Sequence, residues 1–166
     1  MAKGFISRVN LEGLGTIWLA RTDRGICRIV LKGGKRGLLN ELPKTMEWKE
    51  DHASFRQLNS KLKALAMGNK VSFDEPLDIV DATPFRRAVW RKMATIPWGE
   101  VRSYAWLARA IGRPRAVRAV GSACGANPIP IIIPCHRIIS QDGSIGGFTE
   151  GLEIKRKLLA IEGIQI

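Results

Sequence analysis

Residues 128–139 read Pro-Ile-Pro-Ile-Ile-Ile-Pro-Cys-His-Arg-Ile-Ile, and this run constrains the chain more than any other. Prolines at 128, 130 and 134 fix φ and remove three backbone donors. They also push Asn127, Ile129 and Ile133 toward extended conformations. The isoleucines demand burial. The expectation is a stiff, apolar, extended segment that delivers Cys135 to one place, with an imidazole and a guanidinium beside it.

An apolar share of 45% over 166 residues allows one domain or two small ones, each with a core. No apolar run approaches the length of a membrane span. The first residues hold no signal-peptide core, which predicts a soluble, cytoplasmic protein without membrane partners. Cysteines at 27, 124 and 135 form no metal-type spacing, so neither a metal nor a disulfide framework is expected.

The net charge of +12 is unevenly spread. Residues 86–118 carry Arg86, Arg87, Arg91, Lys92, Arg102, Arg109, Arg113, Arg115 and Arg118 against a single acid, Glu100. Charge runs are usually solvated faces. This concentration points instead to a polyanion, nucleic acid above all.

The pattern predicts two halves. Ile17–Ala20 and Ile26–Leu31 flank the turn residues 22–25 and read as a β-hairpin, with Phe5–Val9 as a third strand. Gly33-Gly34-Lys35-Arg36-Gly37 reads as a basic loop without the ending of a phosphate-cradling motif. Phe55, Leu58, Leu62 and Leu65 predict a helix over about 51–67, closed by Gly68-Asn69. Cys27 is expected in the core, and His52 has no evident partner. The acidic, proline-bearing stretch 74–84 marks a domain boundary, giving domains 1–80 and 81–166.

In the second half, Thr83-Pro84 predicts a capped helix with Phe85, Val89 and Met93 buried. Ser103 caps the next helix, which carries Tyr104, Leu107 and Ile111 on one face and stops at Gly112. A further helix is predicted from Pro114 through Cys124, completing a helix-turn-helix. Its outward face, Arg115, Arg118, Ala119 and Ser122, has no Asn, Gln or Glu for reading base edges and suits close backbone approach. A final helix over 152–162 has Ile154, Leu158 and Ile161 as its apolar stripe, with Glu162 beside it.

A free thiol has a pKa near ~8.5, and a nearby cation lowers it. Cys135 and His136 are sequence neighbours, and in an extended segment they point opposite ways, so coupling needs a bend or a water. Glu162 is the candidate to orient His136. On composition alone a buried structural cysteine is the commoner outcome. A Cys135/His136/Glu162 thiol hydrolase is a further alternative, though it leaves the basic segment without a purpose.

Pro134-Cys135-His136-Arg137-Ile138, preceded by Asn127-Pro128-Ile129-Pro130, resembles the signature of the O6-alkylguanine-DNA alkyltransferase (methylated-DNA–protein-cysteine methyltransferase) family. So do Thr83-Pro84-Phe85, Ile96-Pro97-Trp98-Gly99, Ser103-Tyr104, Arg115–Gly121, Gly146-Gly147-Phe148 and Glu162-Gly163, in order over 83–164. The resemblance implies an α+β chain. Its N-terminal part would be a small antiparallel β-sheet with a helix, ribonuclease H-like, and its C-terminal part mainly helical with a winged helix-turn-helix.

It also implies a suicide repair protein without cofactor, acting as a monomer on double-stranded DNA that bears O6-alkylguanine, with O4-alkylthymine as a second substrate. Cys135 would accept the alkyl group, His136 relay a proton through water, and Glu162 orient His136. Asn127 would tie the helix-turn-helix to the active segment. Tyr104 would crowd the target phosphate and donate a proton. Pro130, Ile138, Phe148, Thr149 and Cys124 would line the pocket, with carbonyls of Cys135 and Ile138 accepting from the guanine amine. Arg118 would fill the space of a flipped base, and Arg115, Ala119, Ser122, Arg102 and Ser103 would contact DNA. The alternative class is a helix-turn-helix regulator with a structural cysteine.

Overall fold

The computed structural model describes all 166 residues, and the chain divides into two compact units, Met1–Val80 and Asp81–Ile166. The first unit is built on strands β1 (Ala2–Leu11), β2 (Gly15–Arg21), β3 (Ile26–Val30) and β4 (Met46–Glu50), in the order β3-β2-β1-β4. β1, β2 and β3 are antiparallel, as the hairpin pattern predicts, with a register shift at Ala20/Arg21. β4 adds in parallel to β1, so the sheet is mixed. β4 escapes the sequence reading because Met46-Glu47-Trp48-Lys49-Glu50 is an edge strand with no residue fully buried.

Side-chain alternation along the strands sends Ile6, Trp18, Ala20 and Val30 to one face, where they meet Leu38 and Leu42. Leu38 comes from helix α1 (Gly34–Glu41), which replaces the expected glycine-rich loop. Burial of Leu38 and Leu42 outweighs the poor helix propensity of the glycines. Val9, Ile17, Leu19 and Ile29, equally buried, are left for the opposite face. Helix α2 (Arg56–Ala66) packs on β1 through a side that buries Leu58, Leu62 and Leu65. It follows a 3₁₀ turn, Ala53–Phe55, and ends where Gly68 takes φ +89 and bonds back to the Leu65 carbonyl.

Two minor expectations change here. Cys27 is half-buried at the rim of the core rather than inside it, and burial with Asp78 nearby pushes its thiol up to about 12. His52 does have partners: its Nδ1 lies 2.7 Å from Ser7 Oγ, and Glu50 is 3.6 Å from its Nε2.

The second unit contains α3 (Pro84–Met93), α4 (Tyr104–Ala110), α5 (Val117–Gly125) and α6 (Leu152–Ile161), with a short parallel pair β5 (Arg102–Ser103) and β6 (Ile138–Ile139). Thr83 caps α3, its Oγ1 accepting from Arg86 N at 3.2 Å. Val89, Trp90 and Met93 form the buried side of α3, and Trp90 Nε1 donates to the Ala123 carbonyl of α5 at 2.8 Å. α5 begins at Val117, three residues after the predicted start. Ala116 N–H is spent on a separate turn to Arg113 O and its backbone leaves the helical region (ψ 31). No helix is long and apolar enough to cross a membrane.

Candidate active site

The segment from Asn127 to Ile139 is bent, where the sequence predicted it extended. Ile131 sits at φ +76, a conformation that β-branched residues rarely adopt. Ile133 N bonds to Ile129 O at 2.9 Å across this turn, beside the Pro130–Ile133 bridge. Asn127 closes it from both sides: its Oδ1 accepts from Ile129 N (3.0 Å) and its Nδ2 donates to Ile133 O (2.7 Å). Asn127 lies just after α5, separated from it by Ala126 alone, so one amide joins that helix to the turn. Ile129, Ile131 and Ile133 are all at most 2% exposed, and their burial opposes the backbone strain.

A second bend follows. Cys135-His136-Arg137 form a 3₁₀ turn, which sends the three side chains in different directions rather than alternating. His136 is fully buried, and its Nε2 lies 2.8 Å from Glu162 Oε1. Arg137 reaches the same carboxylate through Nε (3.1 and 3.0 Å) and Nη2 (2.8 Å), and its Nη1 donates to Ile96 O at 2.6 Å. Gly99 N adds a further donor to Glu162 Oε2 at 3.1 Å. Glu162, at the C-terminal end of α6, is thus a buried carboxylate that accepts from three residues. Burial alone would raise its pKa, but the bonds from His136 and Arg137 prevail and hold it near about 2.

Burial lowers the pKa of His136 despite Glu162. A neutral ring that donates from Nε2 to Glu162 has an acceptor at Nδ1, and Nδ1 is buried with no protein partner. Cys135 is 8% exposed, and burial pushes its thiol up to about 11 against the opposing pull of Asn127 and Lys155. Burial thus disfavours the charged form of both the Cys135 thiol and the His136 ring.

Tyr104 opens α4 at the same site. Its hydroxyl accepts from Gly147 N at 3.2 Å, and burial raises its pKa. The approach requires glycine at 146: a Cβ there would lie 3.0 Å from the Tyr104 ring, at φ +73. Thr149 Oγ1 donates to Gly125 O at 2.8 Å, pinning the 146–149 loop to the end of α5. Phe148 is half-buried in that loop. Cys124, 8% exposed, has its sulfur 3.6 Å from Met93 Sδ, and burial followed by Cys135 pushes its thiol up to about 12.

The sequence reading quoted Arg137 and Gly99 within motifs but gave them no role, and it did not single out Lys155. Lys155 is 0% exposed in α6 and its Nζ donates to the carbonyls of Ile138 (2.6 Å) and Gly147 (2.9 Å). The Ile138 carbonyl, expected free for a ligand, thus has one lone pair in use. The signal was present: Lys155, Leu158, Leu159 and Glu162 follow i, i+3, i+4, i+7 and are all buried, whereas Ile161 of the predicted stripe is only half-buried.

On α5, Arg118, Ala119 and Ser122 share an exposed face, and Arg115 lies exposed in the turn before it. Arg102 and Ser103 are engaged locally. Arg102 binds Glu100 at 3.0 Å and stacks 5.5 Å from the Trp106 ring, while Ser103 Oγ caps α4 by accepting from Trp106 N at 3.0 Å. No set of three His, Cys, Asp or Glu side chains is gathered as for a metal ion.

Comparison with known proteins accounts for both units. Residues 84–164 match the model described as "6-O-methylguanine DNA methyltransferase, DNA binding domain", and residues 13–79 its "ribonuclease-like domain". The chain is 42% identical over 149 residues to a methylated-DNA–protein-cysteine methyltransferase of Methanosarcina barkeri, covering 90% of this chain and 91% of that protein. A protein of the same name from Mycolicibacterium paratuberculosis is 44% identical over 120 residues, 72% of each. The fold is similar to a crystal structure of Mycobacterium tuberculosis OGT in complex with DNA, with TM-score 0.84, 34% identity, and coverage of 96% of this chain and 93% of that one. The chain belongs to the 6-O-methylguanine DNA methyltransferase family.

Proposed function

We propose that this chain repairs O6-alkylguanine in double-stranded DNA by moving the alkyl group irreversibly onto its own Cys135. Family membership carries the reaction class, DNA repair by alkyl transfer to a protein cysteine. The observation that carries the assignment to Cys135 is its setting: a buried thiol next to an imidazole kept neutral by burial and anchored on an ionised Glu162.

In the proposed sequence, a water passes the Cys135 proton to His136 Nδ1, and Glu162 stabilises the imidazolium that forms. The thiolate attacks the alkyl carbon in line. The S–C bond forms, the C–O6 bond breaks, and the electron pair stays on guanine. Tyr104, kept protonated by burial, donates to the leaving base. His136 then returns the thiol's proton to the Tyr104 phenolate through water, so the protein loses one proton overall, guanine gains one, and the reaction balances without a cofactor. A thioether is a poor leaving group, so each molecule acts once.

An alkyl carbon inside a duplex is out of reach, so the nucleotide is flipped at a cost of a few kcal/mol. The exposed α5 face supports this step: Ala119 and Ser122 permit close minor-groove approach, and Arg118 takes the place of the extruded base. Pro130, Ile138, Phe148, Thr149 and Cys124 line the receiving pocket, which also accepts O4-alkylthymine. Residues 81–166 form the DNA-binding and acceptor domain and residues 1–80 a scaffold. The protein works as a monomer in the compartment that holds the genome, cytoplasm or nucleus by organism.

Incubation with duplex DNA containing O6-methylguanine should add one methyl mass to the peptide bearing Cys135, with product stopping at one equivalent. Lesion binding without methylation would refute the assignment. Tight binding to one undamaged sequence would instead favour a helix-turn-helix regulator.

A further inference from the structure

The sheet of the first unit is open along part of β1. β4 follows β1 only as far as the Ile6–Glu50 pair, and Asp51 N makes the last bond across, to Ile6 O at 3.0 Å. The chain then turns away: Asp51 O accepts from Ser54 Oγ at 3.2 Å as the 3₁₀ turn before α2 begins. β1 runs on to Leu11, paired with β2 on its other side. Backbone groups of successive residues in a strand point to opposite sides. Ile6 O points toward β4 and Leu11 O bonds to Leu14 N in the β1–β2 turn, so Arg8 and Asn10 present their N–H and C=O to the space beyond the end of β4. No backbone bond reaches them there, and Arg8 O has only a 3.4 Å contact from Ser7 Oγ.

A cleft of about 400 Å³ lies against this edge, lined by Arg8, Val9, Asn10, Thr16, Asn59 and Lys63. The lining holds two cations and no carboxylate. The cations flank the edge on opposite faces of the sheet. Arg8 lies 6.0 Å from the Trp18 ring, on the face that packs against Leu38 and Leu42. Lys63 comes from α2, which packs on the other face. Both are exposed. Asn59 Oδ1, also from α2, is buried and has no partner. Such an acceptor costs free energy until a donor reaches it.

Charges at a free strand edge ordinarily guard it against unwanted pairing. That accounts for Arg8 and Lys63, but not for a cleft with an orphaned acceptor in its wall. A phosphate could accept from the two N–H groups, but it would meet the Arg8 and Asn10 carbonyls beside them. A peptide strand supplies donors and acceptors in alternation and satisfies both. We propose that the β1 edge at Arg8–Asn10 is a docking site for an extended acidic segment of another protein, which adds to the sheet as a strand where β4 ends. Successive side chains of that segment point to opposite faces, so two adjacent acidic residues meet Arg8 on one face and Lys63 on the other. A donor from the segment satisfies Asn59 Oδ1. A second copy of this chain is the poorer occupant, because edge-to-edge pairing would bring the same cations together. The site shares no residue with the alkyl-acceptor site.

The test uses the full chain and a fluorescein-labelled peptide, Ser-Val-Glu-Asp-Val-Thr-Ser, beside a counterpart with lysine in place of both acids. Binding is read by fluorescence polarisation, and exchange of the Arg8 and Asn10 amide protons by ¹⁵N NMR. The acidic peptide should bind, the lysine peptide should not, and the two amides should be protected by about tenfold or more when a strand covers them. Joint Arg8→Glu and Lys63→Glu substitution should weaken binding by about tenfold or more, since like charges then face each other. Methyl transfer from O6-methylguanine in duplex DNA should be unchanged in that variant. Asn10→Pro removes one outward N–H, a change that edge strands tolerate, and should weaken binding with the charges intact.

No binding of the acidic peptide at about 1 mM, the weakest affinity of interest, overturns the proposal. So does equal binding of both peptides, or binding that leaves exchange at Arg8 and Asn10 unchanged. Protection of the same two amides by undamaged duplex DNA would make the edge a nucleic-acid surface instead. Protection that rises with protein concentration alone, with a dimer in sedimentation, would make it a contact between copies. Either result overturns the acidic-peptide assignment.

Discussion

Glu162 holds more of the site than its position at a helix end suggests. Its carboxylate accepts from His136 Nε2, from Arg137 Nε and Nη2, and from Gly99 N. Removing one partner of such a buried set leaves the others uncompensated, at about 3–5 kcal/mol. Glu162→Gln should therefore lower the unfolding temperature strongly at pH 7. The pH dependence has a definite sign. A carboxyl held near about 2 contributes stability that is present above its unfolded value of about 4.5 and lost as pH falls through about 2. The gap between wild type and Glu162→Gln, measured by thermal denaturation, should shrink steadily from pH 5 to pH 2. A constant gap would mean that Glu162 is not ionised in the folded protein. The same substitution should slow alkyl transfer by about 10²-fold or more, since general-base catalysis contributes on that scale.

At the scale of elements, the α5 helix and the turn after it form one device. Arg118, Ala119 and Ser122 face outward, while Val120, Ala123 and Cys124 face in, and Asn127 links the helix end to the Ile131 turn. Arg118→Ala should weaken repair of O6-methylguanine in duplex DNA far more than reaction with free O6-benzylguanine, because only the duplex requires extrusion. Rate constants for the two substrates decide this, and equal losses would remove Arg118 from the flipping step. Capping was legible here: Thr83 and Ser103 were read as N-caps from the sequence and serve as such. The start of α5 was not. Pro114 is a good first-turn residue, but Ala116 closes a separate turn onto Arg113, a competition between two local hydrogen bonds that composition does not rank.

For the whole molecule, nine basic residues against one acid in residues 86–118 set the expected mode of binding. Affinity for duplex DNA should fall linearly in log–log form with salt, with a slope of about −0.9 per phosphate neutralised, and vary little with sequence. Titration at several salt concentrations with two unrelated duplexes checks both points. A salt-insensitive or sequence-selective affinity would contradict a phosphate-dominated interface.

Alternation and caps determined the β1–β2–β3 hairpins, α2, α3 and the α4–α5 pair from sequence alone, because periodicity and capping are local properties. The stretch 128–139 marked where the chemistry lies, through its prolines and the thiol they flank. Its shape was decided by tertiary structure. Pro-rich segments prefer extension, yet burial of three isoleucines and the two Asn127 bonds hold Ile131 at positive φ and fold the segment back. Likewise α1 and β4 form because a sheet face and an open edge were there to receive them. The pairing of His136 with Glu162 spans 26 residues. Helical spacing could put Lys155 and Glu162 on one face of α6, but only the packed site shows the first bonded to the Ile138 and Gly147 carbonyls and the second to an imidazole and a guanidinium.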